Sequence, residues 1–192
     1  MVYLAKNSLS FGILSLFLLI LQFESKPFCS ALIMKIRLIQ SSDNPSLAEI
    51  IRSTLAEFGA NHPGTVYFDS ATDSLYESFQ RPNSVYFVAE NENGKVVGGG
   101  GVYPTEGLPA DTCELVKMYL LPEARGAGLG RTIIEKCLDT ARNFGFSKVY
   151  LESMPELKKA LKVYEKFGFT YLCSPIGNSG HFGCDLYMLK VL

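Results

Sequence analysis

Residues 121–131 read Leu-Pro-Glu-Ala-Arg-Gly-Ala-Gly-Leu-Gly-Arg, and no other segment constrains the chain as strongly. Gly126, Gly128 and Gly130 stand at alternate positions. The backbone there can turn tightly and approach a ligand with no Cβ in the way. Ile133, Ile134, Cys137, Leu138 and Ala141 follow at helical spacing, which predicts a helix over 129–144. Its free first-turn N–H groups and the positive end of its dipole point into the turn. That arrangement holds phosphate oxygens. Arg125 and Arg131 are expected to add positive charge on either side.

Other phosphate loops fit less well. A P-loop ends in Gly-Lys-Ser/Thr, whereas here Gly130-Arg131-Thr132 follows a different glycine spacing. A dinucleotide fold wants GxGxxG early in a parallel βαβ unit. Here the pattern is GxGxG, and it follows a run predicted to be antiparallel hairpins. A glycine-rich turn without a ligand is the remaining alternative.

At 192 residues, 47% hydrophobic and 19% charged, the chain suits one globular domain with a single core. A net charge of −1 gives no reason to expect nucleic acid as a partner. The five cysteines, Cys29, Cys113, Cys137, Cys173 and Cys184, form no CxxC pair, so no metal site is expected. They are expected to be free, mostly buried thiols in a reducing compartment. Leu9 to Phe23 is a run of 15 uncharged, mostly apolar residues, short for a spanning helix and similar to a signal-peptide core. Met34 opens Met-Lys-Ile-Arg-Leu-Ile, a plausible first strand. Residues 1–33 are therefore expected to be a hydrophobic extension (a mis-assigned start, a signal peptide or an anchor) before a domain over 34–192. A membrane contact is expected only if residues 9–23 are retained.

The pattern predicts strands over 34–40, 84–90, 95–103, 112–121, 147–152, 169–173 and 185–191. Helices are predicted over the segment after Pro45 up to Gly59, over 72–80, over 129–144, and from Pro155 to Phe167. Asn91 to Gly94 is a hairpin turn. Gly98 to Gly101 sits inside a strand and is expected to clear space for a ligand.

Three segments in order carry a resemblance to a known family. Arg125-Gly-Ala-Gly-Leu-Gly130 is similar to the Q/R-x-x-G-x-G/A signature of the general N-acetyltransferase (GNAT) superfamily. Glu114 to Pro122 looks like that family's fourth strand, and Tyr164-Glu-Lys-Phe-Gly-Phe169 like its closing helix-to-strand element. The resemblance covers residues 34–192. It implies an α+β fold, a mixed and mostly antiparallel sheet of about seven strands flanked by about four helices. It implies that the fourth and fifth strands splay and that acyl-CoA sits between them. Backbone groups of Met118, Tyr119 and Leu120 would then pair with the acyl and pantetheine amides. The N–H groups of Arg125, Gly126, Ala127, Gly128, Leu129, Gly130 and Arg131 would hold the pyrophosphate.

The implied activity moves an acetyl group from acetyl-CoA, without a metal, to a primary amine of a small molecule or peptide. An acyl-CoA-sensing module without transfer is the alternative. Use of acetyl-CoA favours a cytoplasmic location, with a membrane-anchored or exported form as the alternative, and dimers are common among relatives. Tyr164 is the candidate general acid for the departing thiolate, and Glu114 the candidate base for a protonated amine. Glu114 also reads as an amine anchor or a solvated strand charge. Asn178 to Asp185 is a polar, glycine-rich loop near the acceptor's expected entry. His181 there stands for substrate contact or proton transfer, or for a plain hairpin. Glu152 is a candidate acceptor contact. Cys184 as a covalent acyl acceptor is the less favoured chemistry.

Overall fold

The computed structural model describes residues 34–192. The apolar run 9–23 and the extension to which it belongs lie outside them. Among the described residues no helix is long and apolar enough to cross a membrane.

The chain runs β1 (Lys35–Leu38), α1 (Asn44–Glu57), α2 (Leu75–Ser78), β2 (Val85–Glu90), β3 (Val96–Tyr103) and β4 (Thr112–Leu120). It continues with α3 (Leu129–Asn143), β5 (Lys148–Ser153), α4 (Lys158–Lys166), β6 (Thr170–Leu172) and β7 (Leu186–Val191). The seven strands form one sheet in the order β1-β2-β3-β4-β5-β7-β6. All neighbours are antiparallel except β4 and β5. This is the expected α+β architecture.

Helices cover both faces of the sheet, so its central strands are apolar on both sides. Tyr86 and Val88 of β2 pack with Leu47, Ile51 and Leu55 of α1. Val85, Phe87 and Ala89 face the other way, toward Ile133, Cys137 and Leu161 of α3 and α4. The period of two in β2 meets the helical period in α1 and α3. Each large aliphatic residue so buried contributes about 1.5–3 kcal/mol.

Two features of β4 shape what lies beside it. First, β4 pairs with β5 only over Thr112–Glu114, against Lys148–Tyr150. Beyond Glu114 the two strands part, and β5 continues with β7 alone. Second, β4 carries a bulge. Gly99 faces Tyr119 and Gly101 faces Val116, so Lys117 and Met118 oppose Gly100 alone. Lys117 takes a left-handed conformation with φ 50°. Its carbonyl accepts a hydrogen bond from the Tyr86 hydroxyl at 2.9 Å.

Two sequence expectations change here. Gly98 to Gly101 does not clear space for a ligand. A Cβ on Gly99 or Gly101 would strike the Tyr86 ring, and one on Gly100 would lie 2.5 Å from Met118 Sδ. The glycines admit core side chains and the bulged strand. The last helix begins at Lys158, not at Pro155. Leu157 N–H donates to Met154 O at 3.1 Å, closing a turn that precedes the helix.

Candidate active site

The parting of β4 and β5 opens a cavity of about 380 Å³. One end is the glycine turn, with Gly126, Gly128 and Gly130 in its wall. Met118, Ile134, Val163 and Tyr164 line its apolar middle, and Glu114, Glu152 and His181 its far end. The structure therefore brings most of the sequence-predicted residues to one space. A second cavity of about 280 Å³ shares Glu152 and His181 with the first. Its other walls come from the 175–182 loop and Tyr187.

The turn is built for close approach. Gly126 and Gly128 have φ 85° and 86°, and a Cβ on either would meet nothing within 4 Å. They are glycine for backbone conformation, not for lack of room. Gly128 caps α3 without a side chain. Thr132 N–H bonds to Gly128 O at 3.0 Å, so the amides of Leu129, Gly130 and Arg131 precede the first helical bond. They point out of the helix start, as a pyrophosphate requires.

Arg125 plays a different part from the one expected: its backbone N–H donates to Pro122 O at 3.2 Å and so is not free for a pyrophosphate. Its guanidinium makes two bonds to Glu57, at 2.7 and 2.8 Å, and its Nε donates to Leu120 O at 2.8 Å. It also lies 5.3 Å from the Phe58 ring centre. Arg125 ties the turn to α1 and β4, and its charge is matched by Glu57. Arg131 is largely exposed and pairs with Glu135 one turn on at 2.9 Å. Lys159, absent from the sequence reading, also lines this end of the cavity. Arg125→Ala is expected to weaken acetyl-CoA binding about tenfold and lower stability by about 1 kcal/mol. Calorimetric titration and a urea melt check both. Arg125→Lys should not restore them, since an ammonium cannot make the two-pronged contact.

Backbone alternation also narrows the strand's role. Leu121 N–H donates to Val97 O at 2.9 Å, so Tyr119, two residues back, turns its backbone to β3. The polar groups of Met118 and the Leu120 N–H face the open edge instead, while the Leu120 carbonyl is taken by Arg125. Tyr119 also lines the cavity.

Glu114 is 4% exposed, which removes the solvated-charge reading. Burial raises its pKa to about 7, and the nearby charge of Glu152 adds to this. The Thr105 hydroxyl donates to its Oε2 and opposes the shift. A carboxyl poised near neutrality suits a general base. Glu152 accepts from the Tyr150 hydroxyl at 2.9 Å and from Ser179 Oγ at 2.7 Å. Tyr164 is 7% exposed, with its ring 5.9 Å from that of Phe169. Burial pushes its phenol well above the ordinary value, so it stays protonated at neutral pH. Burial pushes the Cys184 thiol up to about 12, which leaves no thiolate for acyl transfer through sulfur.

Lys117, which lines the cavity, and its partner Asp69 were missed by the sequence pattern. Lys117 Nζ lies 2.8 Å from Asp69 Oδ2, and His181 Nε2 lies 3.4 Å from the same oxygen. The hydrogen bond from His181 and the charge of Lys117 hold the Asp69 carboxyl well below the usual carboxylate range. His181 is thereby held at the cavity wall. Of these residues only His181 carried a signal in sequence, its place in a polar glycine-rich loop.

A parallel-paired strand that parts from its neighbour beside a glycine turn and helix start is the arrangement that the resemblance to the GNAT superfamily implies. Residues 47–169 match the Acetyltransferase (GNAT) family. The uncharacterized N-acetyltransferase YjgM of Escherichia coli (strain K12) is 40% identical over 157 residues, 81% of this chain and 93% of that protein. A GNAT-family acetyltransferase structure from Staphylococcus aureus Mu50 superposes with TM-score 0.74 at 18% identity, covering 83% of this chain and 99% of the other. The structure of yncA from Salmonella typhimurium with acetyl-CoA superposes with TM-score 0.64 at 24% identity, covering 83% and 94%. The chain belongs to the GNAT acetyltransferase family and is an acetyl-CoA-dependent acyltransferase.

Proposed function

We propose that the protein transfers the acetyl group of acetyl-CoA directly to a primary amine of a small molecule or peptide. The observation that carries this is the continuity of the cavity: glycine turn at one end, buried phenol in the middle, carboxyl poised near pH 7 at the other. The residues fit the donor. The N–H groups from Gly126 to Arg131 suit the pyrophosphate, and the open edge at Met118 and Leu120 suits the pantetheine amides. Bound acetyl-CoA supplies the activated acyl group.

The chain's own residues handle protons and position. Glu114 removes the proton that the ammonium form of the acceptor carries, which frees its lone pair. Tyr164 donates a proton to the leaving sulfur, and the second proton that the nitrogen sheds as the amide forms restores the phenol. Glu152 and His181 contact the acceptor. The work of residues 34–192 on acetyl-CoA suits a cytoplasmic protein.

A binding module without transfer would have no use for a base, and the environment of Glu114 favours transfer over sensing. Titration calorimetry with acetyl-CoA is expected to give micromolar binding, roughly −8 kcal/mol. Thiol release from acetyl-CoA should rise when a panel of primary amines is added. Binding with no amine-dependent release would support the sensing module instead.

A further inference from the structure

The charges at the acceptor end point to a substrate class. Five cationic or imidazole side chains line the two cavities: Lys117, Arg125, Arg131, Lys159 and His181. Arg125 and Arg131 belong to the glycine turn, and the charge of Lys159 acts on Glu57, which Arg125 binds. That leaves Lys117 and His181 near the acceptor, and both sit on one oxygen of Asp69. The positive charge of Lys117 is thus matched inside the protein.

The carboxylates show the opposite imbalance. Glu114 and Glu152 both reach the end of the main cavity, and Glu152 also walls the second. The partners of Glu152, Tyr150 and Ser179, are neutral hydroxyls. So is Thr105, the partner of Glu114 Oε2. Among the described residues, Glu114 Oε1 receives no hydrogen bond. Lys117 and His181 act on Glu114 as well as on Asp69, so three carboxyls at this end share one lysine and one imidazole, and carboxylate is in excess. Pro175, Phe182 and Tyr187 complete the wall of the second cavity, and Phe182 is 82% exposed.

We infer that the acceptor is a primary amine that enters as a net cation with no carboxylate beside the amine, its ammonium held by Glu152 and its body against Pro175, Phe182 and Tyr187. This rests on the proposed acetyl transfer and selects among its acceptors. A free amino acid would bring its α-carboxylate next to Glu114 and Glu152, where carboxylate is already in excess over Lys117 and His181. Like charges in a partly desolvated site repel strongly.

Matched pairs test the inference on the intact enzyme: phenethylamine against phenylalanine, putrescine against ornithine, and phenylalaninamide as a carboxylate-free control. Amine-dependent release of CoA thiol gives kcat/KM for each. The amine or amide should exceed its amino acid by about tenfold or more. In Glu152→Gln the KM for the amines should rise about tenfold, the KM for acetyl-CoA should hold, and the preference within each pair should shrink. Equal or higher kcat/KM for the free amino acids overturns the inference and leaves acetyl transfer standing. A preference that Glu152→Gln leaves unchanged overturns the role of Glu152 and with it the inference. No turnover of any member overturns both readings.

Discussion

Tyr164→Phe is expected to lower kcat for acetyl transfer about 10²- to 10³-fold while KM for acetyl-CoA stays within about a factor of two. The substitution removes only the hydroxyl. The ring is 7% exposed and stacks edge-on against Phe169, and phenylalanine keeps both contacts. Burial holds the phenol protonated, which makes it a donor and not a base at neutral pH. Loss of the donor leaves the thiolate to depart without its proton, so the effect belongs in kcat. Steady-state kinetics of purified protein checks this, with a thermal melt as the control for folding. Undiminished turnover would show that water supplies the proton.

Glu114→Gln tests the other end of the proton path and separates activity from stability. Wild-type kcat/KM is expected to fall about tenfold per pH unit below a pKa of about 7, because only the ionised carboxyl can accept the proton. The glutamine variant should lose about 10²-fold at pH 8 and lack that acid limb. Stability should move the other way. The folded protein raises this carboxyl from 4.5 to about 7, so between those values it binds more protons than the unfolded chain. Stability therefore declines as pH rises from about 4.5 through about 7, where a buried charge is formed. Glutamine forms no charge and still accepts from Thr105, so its melting temperature should match or exceed wild type above pH 7. A variant that is less stable at pH 8 would show that the buried carboxylate is better compensated than its surroundings indicate. Full activity with an unaltered pH profile would remove Glu114 from the mechanism.

Much of the site was legible because its determinants are local. Gly126 and Gly128 adopt positive φ as their spacing suggested, and α3 follows with the expected buried face. Tyr164 lies on the helix that its apolar neighbours predicted. Arg125 was misread because its partner is 68 residues away in α1, and nothing in the glycine signature mentions Glu57. Asp69 was missed for the same reason: it meets Lys117 across 48 residues and His181 across 112. The Gly98–Gly101 run misled because empty space at a glycine can be filled by protein as well as by ligand, and here Tyr86, Phe79 and Met118 fill it. Pro155 looked like a helix start, yet the Met154–Leu157 turn delays the helix to Lys158.

The sequence by itself determined the glycine turn, the helix behind it, the two-sided strands and the order of elements. Backbone preference and hydrophobic period act between near neighbours, and near neighbours are visible in a string of residues. Only the tertiary structure decided where β4 leaves β5, which carboxyl is buried deeply enough to titrate near pH 7, and which cations are already matched. Those properties depend on desolvation and on charges brought together from distant parts of the chain. For that reason the donor was readable from residues 125–130, whereas the carboxylates from which an acceptor is inferred came together only when the fold set Glu114 and Glu152 around one cavity and Asp69 against Lys117.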